Sequence, residues 1–198
     1  MEIQGQILPN SEFAKVIDYV ITTYKPYHIL EIGTWKGLGS TKSIIDSIIL
    51  NNLDCNFISI ESNLKFYNQA QKNLIRYANY VNLNYGRIIE KQDILDYCNN
   101  EHVEINNKWL EDDLNDIENN ANIFHIIPNN IDFLLLDGGE YSTYSEWRKL
   151  KSRTKIVAMD DTFTMKCKFI NQELLDDKNY NCLINSNDRN GFSVFIKT

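Results

Sequence analysis

The 198-residue chain has no excess of positive charge. Its 20 lysines and arginines stand against 27 aspartates and glutamates, giving a formal net charge of −7 and a pI of about 5.0. Such a chain has no overall positive field to hold a polyanion, which argues against nucleic acid or an anionic membrane as a partner. It also has no C-x-x-C pair, since the cysteines stand at 55, 98, 167 and 182. That spacing argues against zinc, and a chain of this size needs no disulfide framework. Cys55, Cys98 and Cys182 lie in or near apolar segments, where buried reduced thiols are expected. No apolar segment approaches the ~20 residues that span a bilayer. The opening "MEIQGQILPNSEF" lacks the basic start and apolar stretch of a secretory signal, so a cytoplasmic protein is expected. No repeat or linker interrupts the chain, which predicts a single domain over 1–198, with 1–26 a helical extension and 96–130 a variable insert. A homo-oligomer is left open.

Within these bounds the chain alternates in pattern. Apolar residues Phe13, Val16, Ile17, Val20 and Ile21 recur at helical spacing behind Ser11, a suitable N-cap, and Pro26 ends that helix. His28–Ile32 reads as a short buried strand, followed by a glycine loop and a helix over 40–50. "NFISI" (56–60) is a second strand, 64–80 a helix and 87–90 a third strand. "KWLEDDLNDIENNA" holds one helix in an otherwise vague, Asn-rich region. "IDFLLL" (131–136) and "KIVAM" (155–159) are strands separated by a helix over 143–150. A helix over 167–175 precedes strands near 181–184 and 192–197, joined by the hairpin-type turn "NDRNG". Strands alternating with helices predict an α/β fold with a doubly wound, mostly parallel sheet, and the final strand pair, with no helix between, should be antiparallel.

The acids fall in a pattern. Glu31, Glu61, Asp93, Asp137 and the pair Asp160–Asp161 all lie at or just beyond the C-terminal ends of predicted strands, the edge where open α/β sheets bind ligands. Any one of them could cap a helix or sit in solvent, but five strands each ending in acid point to a shared site. The loop after the first strand reads Gly33-x-x-x-Gly37-x-Gly39 and opens on Glu31. A dinucleotide-binding loop would read G-x-G-x-x-G and place a pyrophosphate on the helix start. A carboxylate suits a cationic amino group better than two phosphates, and Glu61 can take two ribose hydroxyls. The ligand should therefore carry a ribose and a positively charged end, and S-adenosylmethionine fits.

The motifs "ILEIGTWKGLGS", "FISIES", "KQD", "DFLLLDGGEYSTY" and "KIVAMDD", in that order, resemble the class I S-adenosylmethionine-dependent methyltransferases over nearly the whole chain. The resemblance implies a Rossmann-like, seven-stranded sheet with an antiparallel last pair. It also implies that Glu31, Gly33, Thr34 and Gly37 hold the methionine part of the cofactor, Glu61 the ribose, and Asp93 the adenine amino group. Trp35 in the same loop is expected to flank the cofactor or close over it, and Asp137 to reach it from the fourth strand.

Asp137, Asp160 and Asp161 can converge on one hard cation such as magnesium, which prefers carboxylate oxygens and keeps sites for water or substrate. In this they resemble the magnesium-dependent O-methyltransferases, of the catechol type and of the type acting on sugars and natural products. There an acid ends strand four and an acidic pair ends strand five, the metal acidifies the acceptor hydroxyl, and Asp137 takes part in catalysis. Related sequences commonly read Asp-Gly-x-His-x-Tyr where this chain has "DGGEY", so Glu140 stands as candidate general base, with helix capping as its bland alternative. Tyr141, Tyr144 and Trp147 form an aromatic cluster at helical spacing, for which core packing is expected at least at Trp147. The expected activity is O-methylation of a small acceptor, such as a sugar of a surface glycan or natural product. The alternatives are a metal-independent small-molecule methyltransferase, a non-catalytic S-adenosylmethionine-binding protein, and a nicotinamide-dependent oxidoreductase, the last disfavoured by the glycine spacing.

Overall fold

A computed structural model describes residues 7–100 and 102–198. The parts of the expected extension at 1–6 and of the expected insert at 101 lie outside these. Seven strands form one sheet: β1 (His28–Ile32), β2 (Asn56–Glu61), β3 (Asn82–Tyr85), β4 (Ile131–Leu136), β5 (Thr154–Asp160), β6 (Tyr180–Ser186) and β7 (Phe192–Lys197). Their order is β3-β2-β1-β4-β5-β7-β6. β1 to β5 pair in parallel, while β7 runs antiparallel to both β5 and β6. Among the described residues seven α-helices accompany them: α1 (Glu12–Tyr24), α2 (Ser40–Leu50), α3 (Leu64–Leu74), α4 (Lys91–Cys98), α5 (Asn107–Glu118), α6 (Thr143–Leu150) and α7 (Lys168–Asp176).

Strand alternation builds two cores. Leu30, Ile32, Leu134, Leu136, Val157 and Met159 face one side, packed with Trp147 and Ile170. Ile29, Phe133, Leu135, Ile156 and Ala158 face the other, under Phe13, Ile17 and Ile44 from α1 and α2. The side chain of Ser11 caps α1 by accepting from the Ala14 N–H at 3.2 Å. From β1 the chain proceeds outward to β2 and β3, then returns to β4 on the other side of β1. That reversal opens a crevice between the carboxyl ends of β1 and β4.

Three elements depart from the sequence reading, one of them α4 (Lys91–Cys98), where no helix was expected. The third strand is Asn82–Tyr85, not 87–90: Ile88 and Ile89 are fully buried, but in irregular chain, where only Arg87 makes an isolated bridge, to Asn122. Apolarity marked a buried segment there, and the strand itself is the half-exposed stretch before it. The helix expected over 64–80 ends at Leu74 and passes into a short 3₁₀ turn, Ile75–Tyr77. The cysteines also differ from expectation. All four are free, but only Cys167 is buried; Cys55 and Cys98 are half-buried and Cys182 is exposed, because the strand that carries Cys182 lies at the sheet edge. No helix among the described residues is long and apolar enough to cross a membrane.

Candidate active site

A cleft of about 340 Å³ opens at the β1–β4 crevice. Its lining includes Gly33, Thr34, Trp35, Gly39 and Ser40 from the first loop, Glu61 to Asn63 after β2, Gly86 after β3, and Asp137 to Gly139 after β4. Gly33 adopts φ +93°, and an added Cβ would stand 2.0 Å from the Asp137 carbonyl oxygen. Only glycine lets the loops after β1 and β4 approach this closely. Trp35 also has positive φ, at 49°. Its N–H donates to Glu61 Oε2 at 2.6 Å and its ring meets Phe66 edge-on at 5.8 Å. The indole thus forms part of the cleft wall.

Glu61 is buried, and its two oxygens accept from the Trp35 N–H and, at 2.8 Å, the Asn63 N–H. Each oxygen keeps a lone pair for a further donor. Two acids on α5, Asp113 and Asp116, and one on α6, Glu146, enter the same cleft. Asp113 accepts from the Tyr141 and Ser142 N–H groups at 2.7 and 3.3 Å, tying α5 to the loop before α6. Asp116 accepts from Asn63 Nδ2 at 2.9 Å. Glu146 Oε2 is buried with no hydrogen-bond partner. Five carboxylates, Glu61, Asp113, Asp116, Asp137 and Glu146, therefore line the cleft against one ammonium, that of Lys166. Such a wall repels a diphosphate and favours a ligand rich in donors and positive charge.

Burial dominates the protonation of these acids. It pushes Glu61 up to about 7 against the two backbone donors, and Glu146 to about 8 with the charges of Asp113 and Glu61 adding to it. Asp113 rises to about 6 for the same first cause. Glu61 and Glu146 hold protons in the fold at pH values where unfolded glutamates, near 4.5, have lost them. Between those values the native state binds more protons, so stability falls as pH rises from about 4.5 through about 8. The thermal midpoint of the free protein should accordingly drop by several degrees between about pH 5.5 and about pH 8.5. A midpoint that stays level or climbs across that range, followed by scanning calorimetry, contradicts this electrostatic picture.

Strand alternation turns Glu31 away from the cleft. It points under the start of α2, where its carboxylate accepts from the hydroxyls of Ser40, Thr41 and Ser59 at 2.6, 2.7 and 2.6 Å, and burial pushes it to about 7. Glu31 itself is not among the residues lining the cleft; it fixes Ser40, which is. Gly37, at φ +73°, packs against Leu74 and not toward the cleft. Asp93 is also elsewhere. Because the third strand ends eight residues earlier, Asp93 falls inside α4, closes a capping box with Glu90 and pairs with Lys149 at 2.8 Å.

Asp137, Asp160 and Asp161 do come together, each offering an oxygen within 4.8 Å of the others. Asp161 adopts left-handed φ, 58°. A lysine meets them. Lys166 Nζ lies 2.9 Å from Asp137 Oδ1 and 2.6 Å from Asp161 Oδ2, and Arg189 lies 3.4 Å from Asp160 Oδ2. Burial opposes charge on Lys166, but the two carboxylates outweigh it and hold its proton well above the usual lysine range. Asp161 is likewise held below the usual range: burial opposes this, and Lys166 and Asn190 prevail. Glu140, half-buried, accepts from Thr164 Oγ1 at 3.2 Å, so it joins the same loop after β5. Tyr141 and Trp147 are buried, while Tyr144 is partly buried and stacks on Tyr97 at 4.8 Å.

Sequence reading missed Asp113, Asp116, Glu146 and Lys166. The two aspartates sit three residues apart on one helical face within a run of acids, a signal that solvated helices share. Lys166 follows Asp161 by five residues in an irregular loop, where spacing says nothing about direction.

No family model matches the chain, and no curated protein matches it in sequence. Solved structures do. A candidate caffeoyl-CoA O-methyltransferase from Staphylococcus aureus aligns over 96% of this chain and 85% of its own, with a TM-score of 0.64 and 16% identity. The O-methyltransferase TomG of Streptomyces achromogenes, involved in tomaymycin synthesis and solved with S-adenosylmethionine, aligns over 97% and 82% with a TM-score of 0.63 and 15% identity. An O-methyltransferase from Bacillus cereus, solved with S-adenosylhomocysteine, aligns over 96% and 84% with a TM-score of 0.59 and 14% identity. The chain has the Rossmann-like methyltransferase fold that these proteins share.

Proposed function

We propose that the protein is an S-adenosylmethionine-dependent O-methyltransferase acting on a small hydroxylated acceptor. The observation that carries this reading is the acid-lined cleft at the β1–β4 reversal, where Glu61 stands braced by two backbone donors and Glu146 Oε2 is buried without a partner. A nucleoside with a cationic tail answers both features. Glu61 would take the ribose hydroxyls, Asp137 and Ser40 the ammonium end, and Trp35 would cover the ligand. Asp113, Asp116 and Glu146 offer acceptors for further donors.

When bound, S-adenosylmethionine supplies a methyl group on a sulfonium; transfer breaks the sulfur–carbon bond, forms a carbon–oxygen bond and leaves a neutral thioether, while the acceptor's hydroxyl proton goes to a base. Glu140 is our candidate for that base, held by Thr164 in the loop after β5. The protein's main contribution is to align acceptor and methyl and to exclude water. Asn190 donates to Asp161 at 3.0 Å, and with Thr164 and Arg189 it gives the rim beside the cleft a polar character suited to a polyhydroxyl acceptor such as a sugar.

Magnesium suits three carboxylates by donor type. Here, however, one oxygen of each of two of them is already bound to Lys166, and the third lies against Arg189 at 3.4 Å. The residues as arranged do not fit a divalent ion. Among the alternatives, this favours metal-independent methylation.

Transfer of labelled methyl from S-adenosylmethionine to a panel of sugars and catechols tests the reading. We expect label in at least one hydroxylated acceptor, and Glu140→Gln to slow transfer roughly tenfold to a hundredfold. Cofactor binding with no transfer to any acceptor would support a non-catalytic binding protein instead, and an unchanged rate would remove Glu140 from the chemistry.

A further inference from the structure

The loop after β5 carries a cation into the acid rim. Lys166 is only 12% exposed in its side chain, and its ammonium bonds Asp137 at 2.9 Å and Asp161 at 2.6 Å. These residues come from the ends of two adjacent parallel strands, so the ammonium bridges β4 and β5 where they meet the cleft. Asp160 Oδ2, almost fully buried, makes no hydrogen bond and only the 3.4 Å contact to Arg189. Three carboxylates thus face two fixed positive charges. An ammonium has three N–H donors. Two go to Asp137 and Asp161, and Lys166 also lines the cleft, which leaves one donor for an oxygen arriving there.

We propose that Lys166 is a built-in cation standing where a divalent metal would otherwise bind, and that its third N–H holds the acceptor oxygen during transfer. The proposal rests on the methyltransferase reading only for the identity of that oxygen; the exclusion of metal follows from the ion pairs alone. A divalent ion on Asp137 and Asp161 would compete with Lys166 for their charge, and must expel a largely buried ammonium or sit against it. A preorganised ammonium can stabilise developing negative charge on the acceptor without a metal. Asp137 and Asp161 then act as positioning residues that hold the ammonium in place.

Manganese alone is the probe, read by the loss of its free paramagnetic resonance signal on titration with the full chain. The wild type should leave manganese free up to millimolar concentrations. Lys166→Met removes the charge while keeping the bulk, exposes three carboxylates with too little positive charge, and should gain one manganese site, binding roughly tenfold tighter or more than wild type. Adding Asp161→Asn should abolish the gained site. One tight manganese per wild-type chain, lost in Asp161→Asn, would overturn the proposal. So would a folded Lys166→Met that gains no site. The wild-type titration needs no folded variant, so it decides even where Lys166→Met does not fold. Binding of S-adenosylhomocysteine by wild type is measured separately, and its absence would count against the proposed function and not against this inference.

Discussion

Glu61→Ala should weaken binding of S-adenosylhomocysteine by about a hundredfold. The carboxylate is buried and held in one orientation by the Trp35 and Asn63 N–H groups, so its free lone pairs meet a diol without a cost in side-chain entropy. Above about pH 7, where Glu61 is ionised, hydrogen bonds to a charged group contribute about 1.5–3 kcal/mol each, and losing two hydroxyl contacts, partly replaced by water, costs about 3 kcal/mol, or roughly two decades in affinity. The alanine also leaves the Trp35 N–H without its acceptor and loosens the wall of the cleft. Glu61→Gln, which keeps one acceptor oxygen, should fall between the two. Calorimetric titration measures all three proteins. An alanine variant that binds within threefold of wild type would mean that the ligand's ribose lies elsewhere.

Gly33→Ala should be the most damaging small substitution in the chain. A Cβ there would stand 2.0 Å from the Asp137 carbonyl oxygen, 2.4 Å from its carbon and 2.8 Å from the Gly138 nitrogen, all backbone atoms that cannot rotate away. The crossing is held by the Asp137 N–H, which donates to the Ile32 carbonyl at 2.9 Å, while the Gly33 N–H donates to Ile60 of β2 at the same distance. Relief requires β1 and β4 to part at the edge that forms the cleft. Strain of this kind costs about 3 kcal/mol, which lowers the thermal midpoint by roughly 10 °C in a domain of this size. Ligand binding should be lost as well. A variant with the wild-type melting temperature would show that the close approach does not constrain the site.

The fold was legible because its signals were local. β1, α2, β4, α6 and β7 lie where apolar alternation, helical spacing and glycine placed them. The third strand was misread because Ile88 and Ile89 are more apolar than Asn82–Tyr85, and burial without pairing leaves the same trace in sequence as a strand. A residue's place in the cleft was legible where it follows from strand-end position, as at Glu61 and Asp137. It was not legible where direction decides. Glu31 ends a strand too, but its neighbour Ile32 points to the opposite face, and the alternation carries Glu31 under α2. Lys166 illustrates a deeper limit: acids gathered at strand ends suggest a metal, and only coordinates reveal a lysine already among them.

On this reading the acidic cleft binds a nucleoside with a cationic tail. Such binding is tested most directly by calorimetric titration of the wild-type protein with S-adenosylhomocysteine and, in parallel, with a reduced nicotinamide dinucleotide. One S-adenosylhomocysteine per chain should bind at micromolar affinity, with no heat from the dinucleotide. Tight binding of the dinucleotide with none of S-adenosylhomocysteine would contradict this reading.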